Sequence, residues 1–151
     1  LSYGRRFSGS GDVMAWMKLM QAAVLGLAWI PAPQAAEGDS FRAPSGNIHC
    51  SYDEDSASLR CDIMQTTNRP PPRPRECDLD WGNAFEISLR STRGARICHG
   101  DTVADPNLPV LPYGAVWSRG GFTCHSAESG MLCRNGRGAG FELSRARQRL
   151  F

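Results

Sequence analysis

Between residues 37 and 151, apolar side chains recur at every second position in short runs broken by Gly, Pro, Asn, Asp and Ser. That period predicts half-buried β-strands joined by tight turns, and no long amphipathic helix. Phe85, Ile87 and Leu89 alternate with Glu86, Ser88 and Arg90, and Gly94 then turns the chain back through Ala95 to Cys98. Two segments, 47–63 and 121–135, resemble one another and both read as Cys hairpins. In the first, a turn at Asp55-Ser56 sets Cys50 opposite Cys61, Tyr52 opposite Leu59 and Ile48 opposite Ile63, which puts sulfur and apolar groups on one face. In the second, a loop from Ala127 to Gly130 sets Cys124 opposite Cys133 and Phe122 opposite Asn135. Strand signal returns over Ala115–Ser118 and, after Gly136, Gly138 and Gly140, over Phe141–Leu143. Ser144 reads as the cap of one last short helical turn, with Ala146 and Leu150 on its apolar side. The predicted fold is mainly β, a small antiparallel domain of hairpins.

Other stretches interrupt that pattern. Residues 14–36, MAWMKLMQAAVLGLAWIPAPQAA, have one cation at Lys18, an apolar run from Leu19 to Ile30 and then small residues with Pro31 and Pro33. This is signal-peptide architecture, and a twelve-residue run falls short of the roughly twenty needed to span a bilayer. No stable membrane span is expected once the leader is cleaved near Ala36. Residues 1–13 are Gly/Ser-rich without an initiating Met and read as upstream sequence foreign to the natural product. Residues 37–151 then make one domain, since a second core does not fit that length. Within it, Arg69 to Arg75 hold four prolines and should form a stiff polyproline II connector through which no strand runs. The stretch from Asp101 to Tyr113, with three prolines, should cross the surface as an ordered loop.

All six cysteines follow the leader, so export would oxidise them. Six cysteines allow fifteen connectivities, and hairpin registry favours Cys50–Cys61, Cys77–Cys98 and Cys124–Cys133 over a nested arrangement. Rings this short contribute about 3 kcal/mol each by loop entropy. Each histidine abuts a cysteine, at His49, His99 and His125, yet adjacent strand residues point to opposite faces and no C-x-x-C corner is present. A zinc site is therefore not expected, and neither is any other metal or cofactor.

Removing the leader leaves fourteen Arg against fourteen acids, so the net charge of +2 overstates how basic the domain is. A near-neutral domain is a poor nucleic-acid binder. The charge is uneven, however: residues 119–151 carry six Arg and two acids, which allows a C-terminal basic face as well as an ordinary solvated surface. No G-x-S-x-G elbow surrounds any serine. His99, Asp101 and His125 are the residues a small hydrolase would use, and Asp78, Asp80 and Glu86 are the acids a glycosidase would need. Acids so close in sequence more often cap turns or face water, and Asp101 or Thr102 can bond backbone amides in a polar turn. For recognition the best-suited side chains are Trp81, Tyr113, Trp117 and Arg119, although the two tryptophans also suit a core between sheets.

Eight blocks recur in order along residues 44–145: PSGNIHC, SLRCDI, CDLDWG, CHGDT, LPYG, GGFTC, LCRN and GFELSR. Taken together they resemble a family of small secreted bacterial domains of unknown function, with His49 standing where a small residue is more usual. The resemblance implies export, a single domain and paired cysteines, in a secreted or periplasmic location. It implies no activity and no catalytic residue. The function expected is a non-catalytic binding module for an extracellular protein or envelope glycan, an inhibitor of an envelope enzyme being its sharper form. The alternatives are a small secreted hydrolase and a structural envelope protein.

Overall fold

A computed structural model describes residues 38–151, so the leader, its cleavage point and the segment before it lie outside the described residues. Ten strands follow one another: β1 Ser40–Arg42, β2 Ile48–Asp53, β3 Ser58–Ile63, β4 Ala84–Ser88, β5 Ala95–Arg96, β6 Val116–Arg119, β7 Phe122–Ala127, β8 Gly130–Asn135, β9 Gly140–Leu143 and β10 Gln148–Leu150. They form two antiparallel five-stranded sheets in simple chain order, β1 to β5 and β6 to β10. Each sheet is a meander with one apolar face. The stable solution is to lay those faces on each other.

Both predicted hairpins have the register read from the sequence, including Cys50 against Cys61, Ile48 against Ile63 and Cys124 against Cys133. The three expected disulfides are formed, with Cα separations of 4.1, 5.6 and 4.1 Å for Cys50–Cys61, Cys77–Cys98 and Cys124–Cys133. Register carries the likeness of the two Cys segments across the whole sheet. One row of the first sheet reads Phe41, Cys50, Cys61, Phe85, and the matching row of the second reads Trp117, Cys124, Cys133, Phe141. Matched residues also meet across the sandwich: Phe41 on Trp117 at 4.9 Å, Phe85 on Phe141 at 6.1 Å, and Cys61 Sγ 3.9 Å from Cys133 Sγ. The two halves are therefore related by an approximate two-fold axis through the core.

The connection from β5 to β6 covers the outward face of the first sheet. Asp62, fully buried on that face, accepts hydrogen bonds from Arg60 Nε (2.8 Å), Arg60 Nη2 (3.0 Å), Thr102 Oγ1 (2.9 Å) and the Val103 amide (3.0 Å). The matching face of the second sheet carries Val116, His125, Leu132, Glu142 and Arg149 in one row, with no loop hydrogen-bonded over it among the described residues. The polyproline segment is free of strand, as expected, and its Pro71 carbonyl accepts the Trp81 indole N–H at 3.1 Å.

Two edge strands were not legible. β1 has too few residues to show a period, and the helical turn expected after Ser144 is instead a hairpin turn. There the backbone bonds of Ser144 and Arg147 lead into β10, which sets Leu150 opposite Phe141. A single turn of helix pays nucleation for one hydrogen bond, whereas the open edge of β9 offers a ladder.

Asn135 joins the halves at one end. Its Nδ2 donates to the Ser88 and Ser91 carbonyls (2.9 and 2.8 Å), and its Oδ1 accepts the Arg137 and Ala139 amides (2.9 and 3.1 Å). Replacing this buried side chain strips partners from four backbone groups. Asn135→Ala is expected to cost about 3 kcal/mol in urea unfolding, and a loss under about 1 kcal/mol would show that water takes over these bonds.

Candidate functional site

The residues singled out for hydrolysis are separated by the fold. His99 stands in reciprocal backbone bonds with Asp80, beside the Cys77–Cys98 disulfide, and its ring is held at both nitrogens. Nδ1 donates to the Asp101 carbonyl at 2.6 Å, since a carbonyl oxygen can only accept, and Nε2 meets the Asn83 side-chain amide at 2.9 Å. No ring nitrogen is left to act as a base. The Asp101 carboxylate takes Arg60 Nη1 at 2.8 Å, and this hydrogen bond, with the guanidinium charge, holds the carboxyl below the ordinary aspartate range. His125 lies on the outward face of β7, in the sheet opposite to the one that Asp101 covers. His49, outward on β2 and buried under the loop, is also engaged, through the Gly46 carbonyl (2.9 Å) and the Asp105 amide (3.3 Å). Asp78 and Asp80 are exposed near Trp81, and Glu86 sits on β4 across from Arg60.

The recognition residues also separate. Trp117 corrects one expectation: it is 1 % exposed, inward on β6, and its Nε1 donates to the Gly38 carbonyl at 2.9 Å, so it presents no contact surface. Its position opposite Cys124 fixes this, because every cysteine position in that row faces the core. Trp81 is half-buried beside the proline segment, and Arg119 pairs with Asp39 at the rim of β6. Tyr113 is 40 % exposed and alone among the four borders a cleft.

That cleft, of about 170 Å³, opens between the ends of the two sheets. Ala43, Ser45, Asn47 and Ile48 come from the start of β2 and the turn before it. Ala127, Glu128, Ser129 and Gly130 come from the β7–β8 turn, and Ser144 and Arg145 from the β9–β10 turn. Four separate segments hold its walls, unlike the wider groove of about 410 Å³ that lies on the outward surface of the second sheet alone. Asn47 is committed to structure, exchanging hydrogen bonds with the Gln65 backbone at 2.8 and 3.1 Å. Glu128 and Arg145 make no ion pair among the described residues. Ser126, just before the lining turn, is 3 % exposed, and its Oγ has no hydrogen-bond partner among the described residues.

The sequence does not single out these groups, because it places Glu128 in the loop from Ala127 to Gly130 and Arg145 in a short helical turn after Ser144. Both descriptions are local, and only the meeting of two distant turns makes a cleft. The three sulfur atoms that lie closest together, those of Cys50, Cys61 and Cys133, are all in disulfides and offer no thiolate to a metal.

Residues 22–151 match a family model described as "Family of unknown function (DUF6636)". The chain belongs to that family. No curated protein and no solved structure matches it. Membership in DUF6636 carries no activity, so function rests on the geometry above. Among the described residues no helix is long and apolar enough to cross a membrane.

Proposed function

We propose that this member of DUF6636 is an exported bacterial binding module, non-catalytic, that takes an extracellular or envelope ligand in the cleft between its sheets. One contrast carries the reading: the rings of His49 and His99 are held at both nitrogens by structural hydrogen bonds and the exposed Asp101 carboxylate is paired with Arg60, while the cleft keeps Tyr113, Glu128 and Arg145 available. Three disulfides suit an oxidising compartment, and two of them lie in the core where they stiffen the walls that a preorganised site needs. Inhibition of an envelope enzyme is one use of such a rigid surface.

The test is affinity capture from envelope extract on the immobilised oxidised protein. A ligand recovered by the parent should be lost on Tyr113→Ala or Arg145→Ala and kept on His99→Ala. Hydrolytic turnover abolished by His99→Ala or His125→Ala in a folded protein would instead establish the enzyme reading.

A further inference from the structure

We propose that the cleft bordered by Glu128 and Arg145 binds a small zwitterion, a single residue or dipeptide that carries both an ammonium and a carboxylate. The inference rests on the cleft being the binding site and adds the charge pattern of its ligand.

The approximate two-fold supplies an internal comparison. At the other end of the sandwich, the Tyr52 ring meets Phe122 at 5.8 Å, tilted by 53°, and lies against Gly120, while Leu89 lies against Gly121. A Cβ at either glycine would collide with those side chains, and both glycines have positive φ, +56° and +86°. Tyr52 and Leu89 cover the two glycines there, beside a surface groove of about 400 Å³ lined by Ser56, Ala57, Ser88, Leu89 and Arg90. Tyr52 stands two residues after Cys50, and the residue two after Cys124 is Ser126. Leu89 stands four residues after Phe85, and the residue four after Phe141 is Arg145. Where one end has an aromatic and an aliphatic side chain over its glycines, the equivalent positions of the other are a hydroxyl and a guanidinium.

Ser126 Oγ, next in sequence to the lining Ala127, is buried without a hydrogen-bond partner among the described residues, at a cost of about 1–3 kcal/mol. Charge narrows the ligand further, because Glu128 and Arg145 border one small space with opposite signs and no ion pair among the described residues. A simple anion would meet Arg145 but approach Glu128 unfavourably, and a simple cation would do the reverse. A molecule carrying both charges satisfies both. Size agrees: about 170 Å³ holds five or six waters at roughly 30 Å³ each, below the roughly 300 Å³ at which drug-sized pockets begin.

The experiment titrates the oxidised, 15N-labelled full chain with alanyl-alanine, N-acetylalanine, alaninamide and N-acetylalaninamide, following amide shifts. Alanyl-alanine is expected to move Tyr113, Ser129 and Arg145. Either singly charged analogue should bind about tenfold more weakly, one charge-assisted hydrogen bond being worth that much. Glu128→Gln should abolish the cost of acetylating the amine, and Arg145→Gln the cost of amidating the carboxylate. N-acetylalanine or alaninamide binding as tightly as alanyl-alanine would overturn the zwitterion while leaving the cleft a site. Silence from all four probes at these residues would overturn the zwitterion whatever envelope capture then recovers.

Discussion

Replacing Cys50 and Cys61 together by alanine is expected to lower the unfolding free energy by about 5 kcal/mol. Two terms combine. Closing a short ring in the unfolded chain contributes about 3 kcal/mol. The remainder, about 2 kcal/mol, is packing, because truncating a side chain at a filled interface leaves space that the neighbours cannot collapse into. Both sulfurs are fully buried at the centre of the sandwich, where Cys61 Sγ touches Cys133 Sγ at 3.9 Å. The Cys77–Cys98 pair serves as the internal control. It lies in the loops, with Cys98 exposed, so its double replacement should cost the ring-closure contribution of about 3 kcal/mol and little more. Urea unfolding without reductant measures both. Equal losses from the two pairs would refute a packing role for the stacked sulfurs. Against a net stability of about 5–15 kcal/mol, loss of both core bridges should leave the domain unfolded, which ties folding to an oxidising compartment.

Asp62→Ala is expected to be nearly as damaging, at about 3 kcal/mol, because it removes a fully buried carboxylate that accepts four hydrogen bonds and takes from Arg60 one of its two carboxylate partners. Arg60, whose side chain is 15 % exposed, would keep only the exposed Asp101 carboxylate and its carbonyl. The loop would lose its anchor as well, since Thr102 and the Val103 amide both end on Asp62 Oδ2. Hydrogen exchange at Val103 and Asp105 should therefore accelerate more than exchange in the second sheet. Asp62→Asn, which keeps an acceptor but not the charge, should fall between parent and alanine. Replacing Arg60 by Met and Asp62 by Leu together should recover much of the loss, because two apolar side chains need no partners. If the double replacement is no better than Asp62→Ala alone, the damage comes from the loop and not from the half-paired guanidinium.

The cleft follows a different logic from these stability determinants. Glu128 and Arg145 contribute little to folding where they stand, so their substitution should be nearly silent in unfolding and visible only in binding. That separation between residues that hold the frame and residues left available is what distinguishes the site from the engaged His99 and Asp101.

Sequence was most legible where one interaction fixed both spacing and register. The Cys50–Cys61 hairpin is such a case: the disulfide, the turn at Asp55-Ser56 and the alternation of Ile48, Cys50 and Tyr52 all demand the same alignment. β4 is another, because Phe85 and Ile87 show the period of a one-sided strand, although the strand stops at Ser88 and leaves Leu89 partly exposed. β1 and β10 were invisible because strands of three residues are formed by the edges they join. Trp117 was ambiguous for a related reason. A tryptophan suits a core or a contact surface equally, and the choice depends on which face of β6 turns inward.

By itself, then, the chain determined its two Cys hairpins and the one-sided β4, and it favoured the three sulfur bridges that formed, because those follow from alternation and from contacts close in sequence. Tertiary structure alone decided that the two meanders face each other about a near two-fold, that Asp62 draws a distant loop over one sheet, and that the β7–β8 and β9–β10 turns meet the start of β2 in a cleft. These outcomes depend on which side chains meet across the sandwich. Residues such as Tyr52 and Phe122, or Ile48 and Ser129, are far apart in sequence, and no local period records their encounter.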